Sequence, residues 1–374
     1  MKYPLICALG LGLLACSFAA CGSAGNDEEP PPATVYKYYA YVSNSWSNNV
    51  TAFAVNTGTG ALTEVAGSPF AVGPVPRSIG IDPAGKFAFV ANDYPNNVSA
   101  FAIDAATGGL TAVAGSPFAA GTSPRSVAVA PSGKFVYVGN VYSNNVTAFA
   151  IQAGTGALTE ISGSPFGVGG GSIAILPSGT FAYVLSGGNI SASAVDTNTG
   201  ALTEISGSPF AAGNVPISIA VDPSGKFLYI ADNGLSGSIS AFSIDTGTGG
   251  LTAVPGSPFA VGGPPSSITV DPSGKFAYVT ESILPVSSGV AAFSINATSG
   301  ALTEVAGSPF NAGSGSIAVA CDPSGKFIYV ANYGSDDVSV FAVNAATGAL
   351  TAATGSPFAA GDAPWSVVVI RIAQ

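Results

Sequence analysis

Residues 207–230 read GSPFAAGNVPISIAVDPSGKFLYI. Three signals follow one another here: a Gly-Ser-Pro-Phe breaker, a short apolar run ending at Val221, and an Asp-Pro-Ser-Gly turn leading into Phe-Leu-Tyr-Ile. Asp-Pro-x-Gly suits a type I turn, because Pro sets φ at the second position and Gly relieves the last. Two apolar segments joined by such a turn make a β-hairpin. In the second segment aromatic and aliphatic residues alternate, so both of its faces are apolar and both must be buried.

Outward from this stretch the pattern repeats. Gly-Ser-Pro-Phe begins at Gly67, Gly115, Gly163, Gly207, Gly256, Gly307 and Gly355, spaced by 48, 48, 44, 49, 51 and 48 residues. The second unit shows the plan: strand a at 78–81, the Asp82-Pro83-Ala84-Gly85 turn, strand b at 86–92 (KFAFVAN), strand c at 98–103, a Thr107-Gly108-Gly109 turn, and strand d at 110–113. The a–b turn returns at Asp222, Asp271 and Asp322, and the lysines Lys86, Lys134, Lys226, Lys275 and Lys326 follow these turns as solvated charges. Strand d often ends in Glu (Glu64, Glu160, Glu204, Glu304), a charge that blunts pairing at an outer strand. No window of useful length has a 3.6-residue period. An all-β fold is expected: a seven-bladed β-propeller of four-stranded antiparallel blades, packed face to face around an axis. Residues 36–42 form a strand b with no strand a before it, and 365–370 form a lone strand a at the other end. Pairing the two closes the ring over residues 35–374.

Units such as 207–230 and 326–332 (KFIYVAN) resemble those of the lactonase-type seven-bladed propellers. That family includes bacterial 6-phosphogluconolactonase-like proteins and relatives with YVTN repeats. The resemblance covers residues 35–372. It implies the propeller fold and, as an activity, hydrolysis of a lactone, a carboxylic ester. In the related fungal enzymes that form or open muconate lactones, His, Arg and Glu are associated with the active site. This chain has no His, and its arginines are Arg77, Arg125 and Arg371.

Composition removes other classes. The 374 residues carry 10 Lys+Arg against 20 Asp+Glu, a formal net charge of −10. Such a chain is a poor nucleic-acid binder. Without His, His-built zinc sites and Ser-His-Asp or Cys-His catalysis are excluded. At 47% hydrophobic and 10% aromatic the chain is not disordered. No cofactor and no metal is expected. Asp336-Asp337 is a lone acidic pair, and the run 167–171 precedes no helix, so it is not a phosphate loop. The Asn-x-Ser/Thr sites at Asn49, Asn97, Asn145 and Asn189 all start strand c, a position that strand geometry explains.

Residues 1–20 hold one cation, Lys2, and an apolar run, and read as a signal peptide. Leu14-Ala15-Cys16 and Ala19-Ala20-Cys21 both resemble the lipobox of bacterial lipoproteins. Cys21 is preferred, with Cys16 the alternative, because 21–34 is polar and breaker-rich, as a lipid-tethered flexible linker should be. An exported protein of the bacterial cell envelope, periplasmic or at the surface, is expected, with the lipid anchor as its membrane attachment. No later stretch reaches the 18 apolar residues of a spanning helix. Cleavage before Cys21 leaves Cys321 as the other cysteine, read as a small buried hydrophobe.

A site is expected where the loops before strand a and the b–c turns meet, at one mouth of the channel. Before the strand-a serine the units carry Arg77, Arg125, Gly171, Ile217, Ser266, Gly315 and Trp365. The b–c side adds Asn92, Asp93, Tyr94, Asn140, Tyr142, Asp232 and Glu281, with Trp46 nearby. Arg77, Arg125, Trp365, Tyr94, Tyr142, Asn92 and Asn140 are the ligand-binding candidates: Arg grips carboxylate or phosphate, and rings stack on a sugar face. For catalysis, Asp93, Asp232 or Glu281 would activate water, and Arg77 or Arg125 would hold the oxyanion. The same residues also read as solvated arginines, turn-capping asparagines and surface acids. The expected role is a monomeric binding or interaction scaffold for a glycan, a small anionic ligand or an envelope protein. The alternative is a lactone hydrolase.

Overall fold

Each blade begins at the axis and works outward. In the second blade Pro76–Ile81 (strand a), Phe87–Asn92 (b), Asn97–Ile103 (c) and Leu110–Ala112 (d) pair antiparallel in that order. A computed structural model describes residues 34–283 and 287–374 of the chain. The signal peptide and the lipid-bearing cysteine, Cys21 or Cys16, lie outside the described residues. Blades 3 to 7 span 124–160, 173–204, 216–253, 265–304 and 316–352. Blade 1 joins the two ends of the described chain: Pro364–Ala373 serves as strand a beside Tyr36–Asn44, followed by Asn49–Val55 and Leu62–Glu64. Tyr36 pairs with Ala373 and Asn44 with Pro364.

The repeated tetrapeptide has a hydrogen-bonding reason. Strand c is longer than strand d, so part of its outer edge is left without partners. In six blades the Phe and the residue after it form a further two-residue strand that covers the start of c, as Phe70–Ala71 does against Asn49 and Val50. This element lies outside the four-stranded plan because two residues carry no alternation to detect. Between it and strand d, the serine hydroxyl fills the gap: Ser68 Oγ accepts the Ala52 N–H at 3.0 Å, and Ser116, Ser164, Ser208, Ser257, Ser308 and Ser356 do the same in their blades. In blade 3 the covering strand shrinks to a single bridge from Phe166 to Val146, next to the glycine-rich run.

The core consists of seven apolar clusters, one in each joint between adjacent blades. Phe259 packs half-buried in the joint of blades 5 and 6, as its place in the repeat predicts. A buried strand-b tyrosine pins most joints by donating to a glycine carbonyl in the c–d turn of the next blade. Tyr41 reaches Gly108, Tyr137 reaches Gly200, Tyr183 reaches Gly249, Tyr229 reaches Gly300 and Tyr278 reaches Gly348, all at 2.8–3.1 Å. Tyr329 reaches Gly60 across the closing joint at 3.1 Å, so blades 7 and 1 meet as the others do. Phe89 holds this position in blade 2 and has no hydroxyl to donate. Burial raises the pKa of these tyrosines, keeping the donating hydroxyl protonated.

The a–b turns, as read from Asp-Pro-x-Gly, are held by the aspartate. Asp222 Oδ1 accepts the N–H groups of Lys226 and Phe227 at 2.7 Å, and Asp271 and Asp322 repeat the pattern. Cys321 is a free thiol, partly buried at the end of its strand a, and burial pushes its pKa up.

Candidate functional site

Strand a is the inner edge of each sheet, and its side-facing N–H groups need partners. Serines on neighbouring strands supply some of them. Ser78 Oγ accepts from Val127 N (3.1 Å), Ser126 from Ile173 (3.1 Å), Ser218 from Ile268 (3.2 Å) and Ser267 from Val319 (3.4 Å). The residue before each of these serines faces the mouth. The pairing registers place Trp365, Arg77, Arg125, Gly171, Ile217, Ser266 and Ile317 there, in blades 1 to 7. Blade 7 thus corrects the expectation of Gly315. Ser316 stands opposite Asn332, where blade 2 has Pro76 opposite Asn92, so Ala318 takes the serine position and Ile317 the mouth.

These residues surround a cavity of about 550 Å³, a size suited to a small molecule. On its cationic side, Arg77 Nε and Arg125 Nε each lie 3.2 Å from Asp93 Oδ2. Ser123 donates its hydroxyl to Asp93 Oδ1 and accepts from Arg125 Nε at 3.1 Å. Asp93 is therefore a bridge between blades 2 and 3: its side chain is 12% exposed and both oxygens are engaged. Two guanidiniums against one carboxylate leave this side net positive. Only the Nε positions are used, so among the described residues the terminal Nη groups have no protein partner.

Aromatic rings extend the cluster along the rim. Arg77 Cζ sits 3.8 Å from the centre of the Trp365 ring, and Arg125 Cζ 5.5 Å from that of Tyr142. Tyr333 packs edge-on against both Trp365 and Trp46, with centroids 5.6 Å apart in each case. The resulting row runs from Trp46 through Tyr333, Trp365, Arg77, Asp93 and Arg125 to Tyr142. Trp46, Tyr94 and Tyr142 are exposed. Ser123 is the member that the sequence pattern missed, because its counterparts Val75 and Val215 carry no polar group.

The asparagines serve the fold. Asn92 and Asn140 are fully buried. Asn92 Nδ2 donates to Asn97 Oδ1 and Ser99 Oγ, and Asn140 Nδ2 to Asn145 Oδ1 and Thr147 Oγ1, tying the end of strand b to strand c. These bonds also engage two of the Asn-x-Ser/Thr asparagines, Asn97 and Asn145. Asp232 and Glu281 hold the same position in blades 5 and 6 and are likewise buried, away from the cavity lining. Asp232 Oδ2 accepts from Ser240 (2.7 Å) and Ser238 (3.4 Å), and its Oδ1 has no partner. Glu281 Oε1 accepts the Gly262 N–H at 3.2 Å. Burial raises the pKa of both acids.

A raised native pKa means that the folded state binds the proton more tightly than the unfolded chain. Asp232 therefore burdens the fold at neutral pH, and the burden vanishes as pH falls below the ordinary Asp value of about 3.9. Asp232→Asn, whose amide would donate as Asn92 does, carries no charge to desolvate and should add about 1–3 kcal/mol to the unfolding free energy at pH 7, the scale of a buried polar group's desolvation. At pH 3 it should add nothing. Denaturant titrations at the two pH values check this, and an equal gain at both would contradict it.

Among the described residues no group of three or more Cys, Asp or Glu is placed to hold a metal ion, and no helix is long and apolar enough to cross a membrane. The family model "Lactonase, 7-bladed beta-propeller" matches the chain over residues 35–120, 116–171, 166–265 and 236–365. Comparison with curated proteins gave no match. Among solved structures, the chain is similar to candidate 6-phosphogluconolactonases of Bacteroides uniformis (23% identity, TM-score 0.74, 89% of this chain and 99% of that one) and Bacteroides fragilis (22%, 0.75, 89% and 98%). It is also similar to the periplasmic gluconolactonase of Pseudomonas aeruginosa (17%, 0.71, 89% and 99%). At these identities the three likenesses are likenesses of fold.

Proposed function

Since the chain belongs to the lactonase family of seven-bladed β-propellers, we propose that its channel mouth binds a small anionic ligand of the sugar-acid or lactone kind. The observation that carries this is the Arg77–Asp93–Arg125 cluster. Asp93 holds each guanidinium by its Nε, which leaves the paired Nη donors for a carboxylate or phosphate. Trp365, backed by Arg77 and Tyr333, offers an aromatic face for the apolar side of a sugar ring. Binding is favoured over turnover because lactone opening needs a group to take a proton from water. Asp93 has both oxygens in use, and none of Asp93, Asp232 and Glu281 lines the cavity.

Family membership favours one second reading, lactone hydrolysis at the same mouth. There Asp93 would give up its Ser123 contact to take the proton of the attacking water, and an arginine would hold the developing oxyanion. Under either reading the protein is exported and held in the cell envelope through a lipid on Cys21, or on Cys16, with a glycan or envelope protein as its larger partner.

Calorimetric titration with gluconate and 6-phosphogluconate tests the binding. Saturable binding is expected, and Arg77→Gln with Arg125→Gln should weaken it about 100-fold, as two charge-assisted contacts require. Absence of binding for both acids overturns the proposal. A lactone panel on the same protein separates the second reading: turnover that falls about 100-fold in Asp93→Asn would establish hydrolysis.

A further inference from the structure

We infer that the ligand of this mouth is amphipathic, with an aliphatic segment opposite its anionic group. This rests on the reading that Arg77 and Arg125 hold an anion, and it adds the class of body attached to that anion. The ring of mouth-facing residues is divided into sectors. Blades 2 and 3 contribute the arginines, while blades 5 and 7 contribute Ile217 and Ile317, with Ser266 between them. In a closed ring of seven, blades 5 to 7 stand across the axis from blades 2 and 3. An anion seated on the guanidiniums therefore directs the rest of its molecule toward the isoleucines.

A second observation points the same way. Among the described residues the large aliphatic side chains that are exposed, apart from Val35 at the start of the ring, are Val215 (54%), Ile217 (37%) and Leu235 (99%). All three belong to the mouth end of blade 5. Their loops are joined there by Asn233 N–H to Val215 O (2.9 Å) and Gly234 N–H to Asn214 O (3.1 Å). The fold does not require apolar residues at these places. The counterparts of Ile217 include Arg, Gly and Ser, and those of Val215 include Ser123 and Ala363. Ile217 lines the cavity, and Val215 and Leu235 stand at the same end of the blade, so the three offer an apolar group a surface to cover.

The ligand class is thus an aliphatic carboxylate or the hydroxy acid of an alkyl lactone: the head on Arg77 and Arg125, the chain over Ile217 toward Val215 and Leu235. Decanoate, below its micelle-forming concentration, is the probe, and gluconate is the polar comparison. Calorimetry should show decanoate binding at least tenfold more tightly than gluconate, since each buried methylene contributes several-fold in affinity. Ile217→Ser should weaken decanoate about tenfold and leave gluconate unchanged. Leu235→Ser, at a position too exposed to matter for folding, should also weaken decanoate alone. Arg77→Gln should weaken both acids. Gluconate binding that depends on Arg77, with no decanoate binding, overturns this inference and leaves the proposed function standing. Decanoate binding indifferent to Arg77→Gln, or equal losses for both acids in the Ile217 and Leu235 variants, also overturns it. Failure of decanoate, gluconate and 6-phosphogluconate all to bind overturns both.

Discussion

A chain that stops at Ala363 should not fold. The truncation removes Pro364–Ala373, the inner strand of blade 1, and with it the pairing of Tyr36–Asn44 from Ala373 to Pro364. Val367 and Val369 leave the joint between blades 7 and 1, and Ile372 leaves the joint between blades 1 and 2. Burial of these three side chains is worth about 5–9 kcal/mol in all. That approaches the whole stability of an ordinary domain, about 5–15 kcal/mol, before any of the lost strand pairing is counted. Circular dichroism and size-exclusion chromatography of the truncated chain should show loss of cooperative unfolding and an expanded or insoluble product. A truncated chain that unfolds cooperatively at nearly the full-length denaturant midpoint would contradict closure through this strand.

The second large effect is expected at a single glycine. Gly300 lies in the c–d turn of blade 6 at φ +75°, and its carbonyl accepts the Tyr229 hydroxyl at 3.0 Å. A Cβ built there would collide with the ring of Phe227 in blade 5. Gly300→Ala combines a left-handed backbone penalty of about 1–2 kcal/mol with overpacking of about 1–3 kcal/mol. The expected loss is about 2–5 kcal/mol, seen as a lower denaturant midpoint. Gly154→Ala is the control: Gly154 lies in the c–d turn of blade 3, two residues before the counterpart of Gly300, outside the left-handed region, and its added Cβ meets nothing within 4 Å. That substitution should change stability by no more than about 0.5 kcal/mol. If the two variants behave alike, neither the left-handed backbone nor the Phe227 ring requires a glycine at position 300.

The ring, its blade number and its point of closure are legible in the sequence because each depends on repetition, and repeated residues reveal local rules. Asp222 turns the chain and Tyr229 alternates with aliphatics wherever their counterparts occur. The two-residue strand at Phe70–Ala71 is too short for any period, so only its pairing to Asn49 and Val50 reveals it. The mouth is harder to read because its residues are those that differ between units. Asn92 and Asn140 have the chemistry of ligand contacts, yet they spend their amides on Ser99 and Thr147, seven residues onward in each case. That recurring seven-residue partner is a structural sign visible in the sequence. The bridge from Arg77 through Asp93 to Arg125 has no such sign, since it forms only when two blades are set side by side. The contrast between the arginines and Ile217 across the axis likewise exists only once the ring is closed.

The placing of the two ends has a practical consequence. Tyr36–Asn44 climbs toward the mouth, so Val35 stands at the opposite rim, where the Gln374 N–H bonds to its carbonyl at 2.9 Å. A bead, chip or fluorescent handle joined at Gln374 is attached at the back of the ring. Immobilised in that orientation, the protein presents its opening to the flowing solution, and surface-based measurements of ligand capture can be made without obstruction.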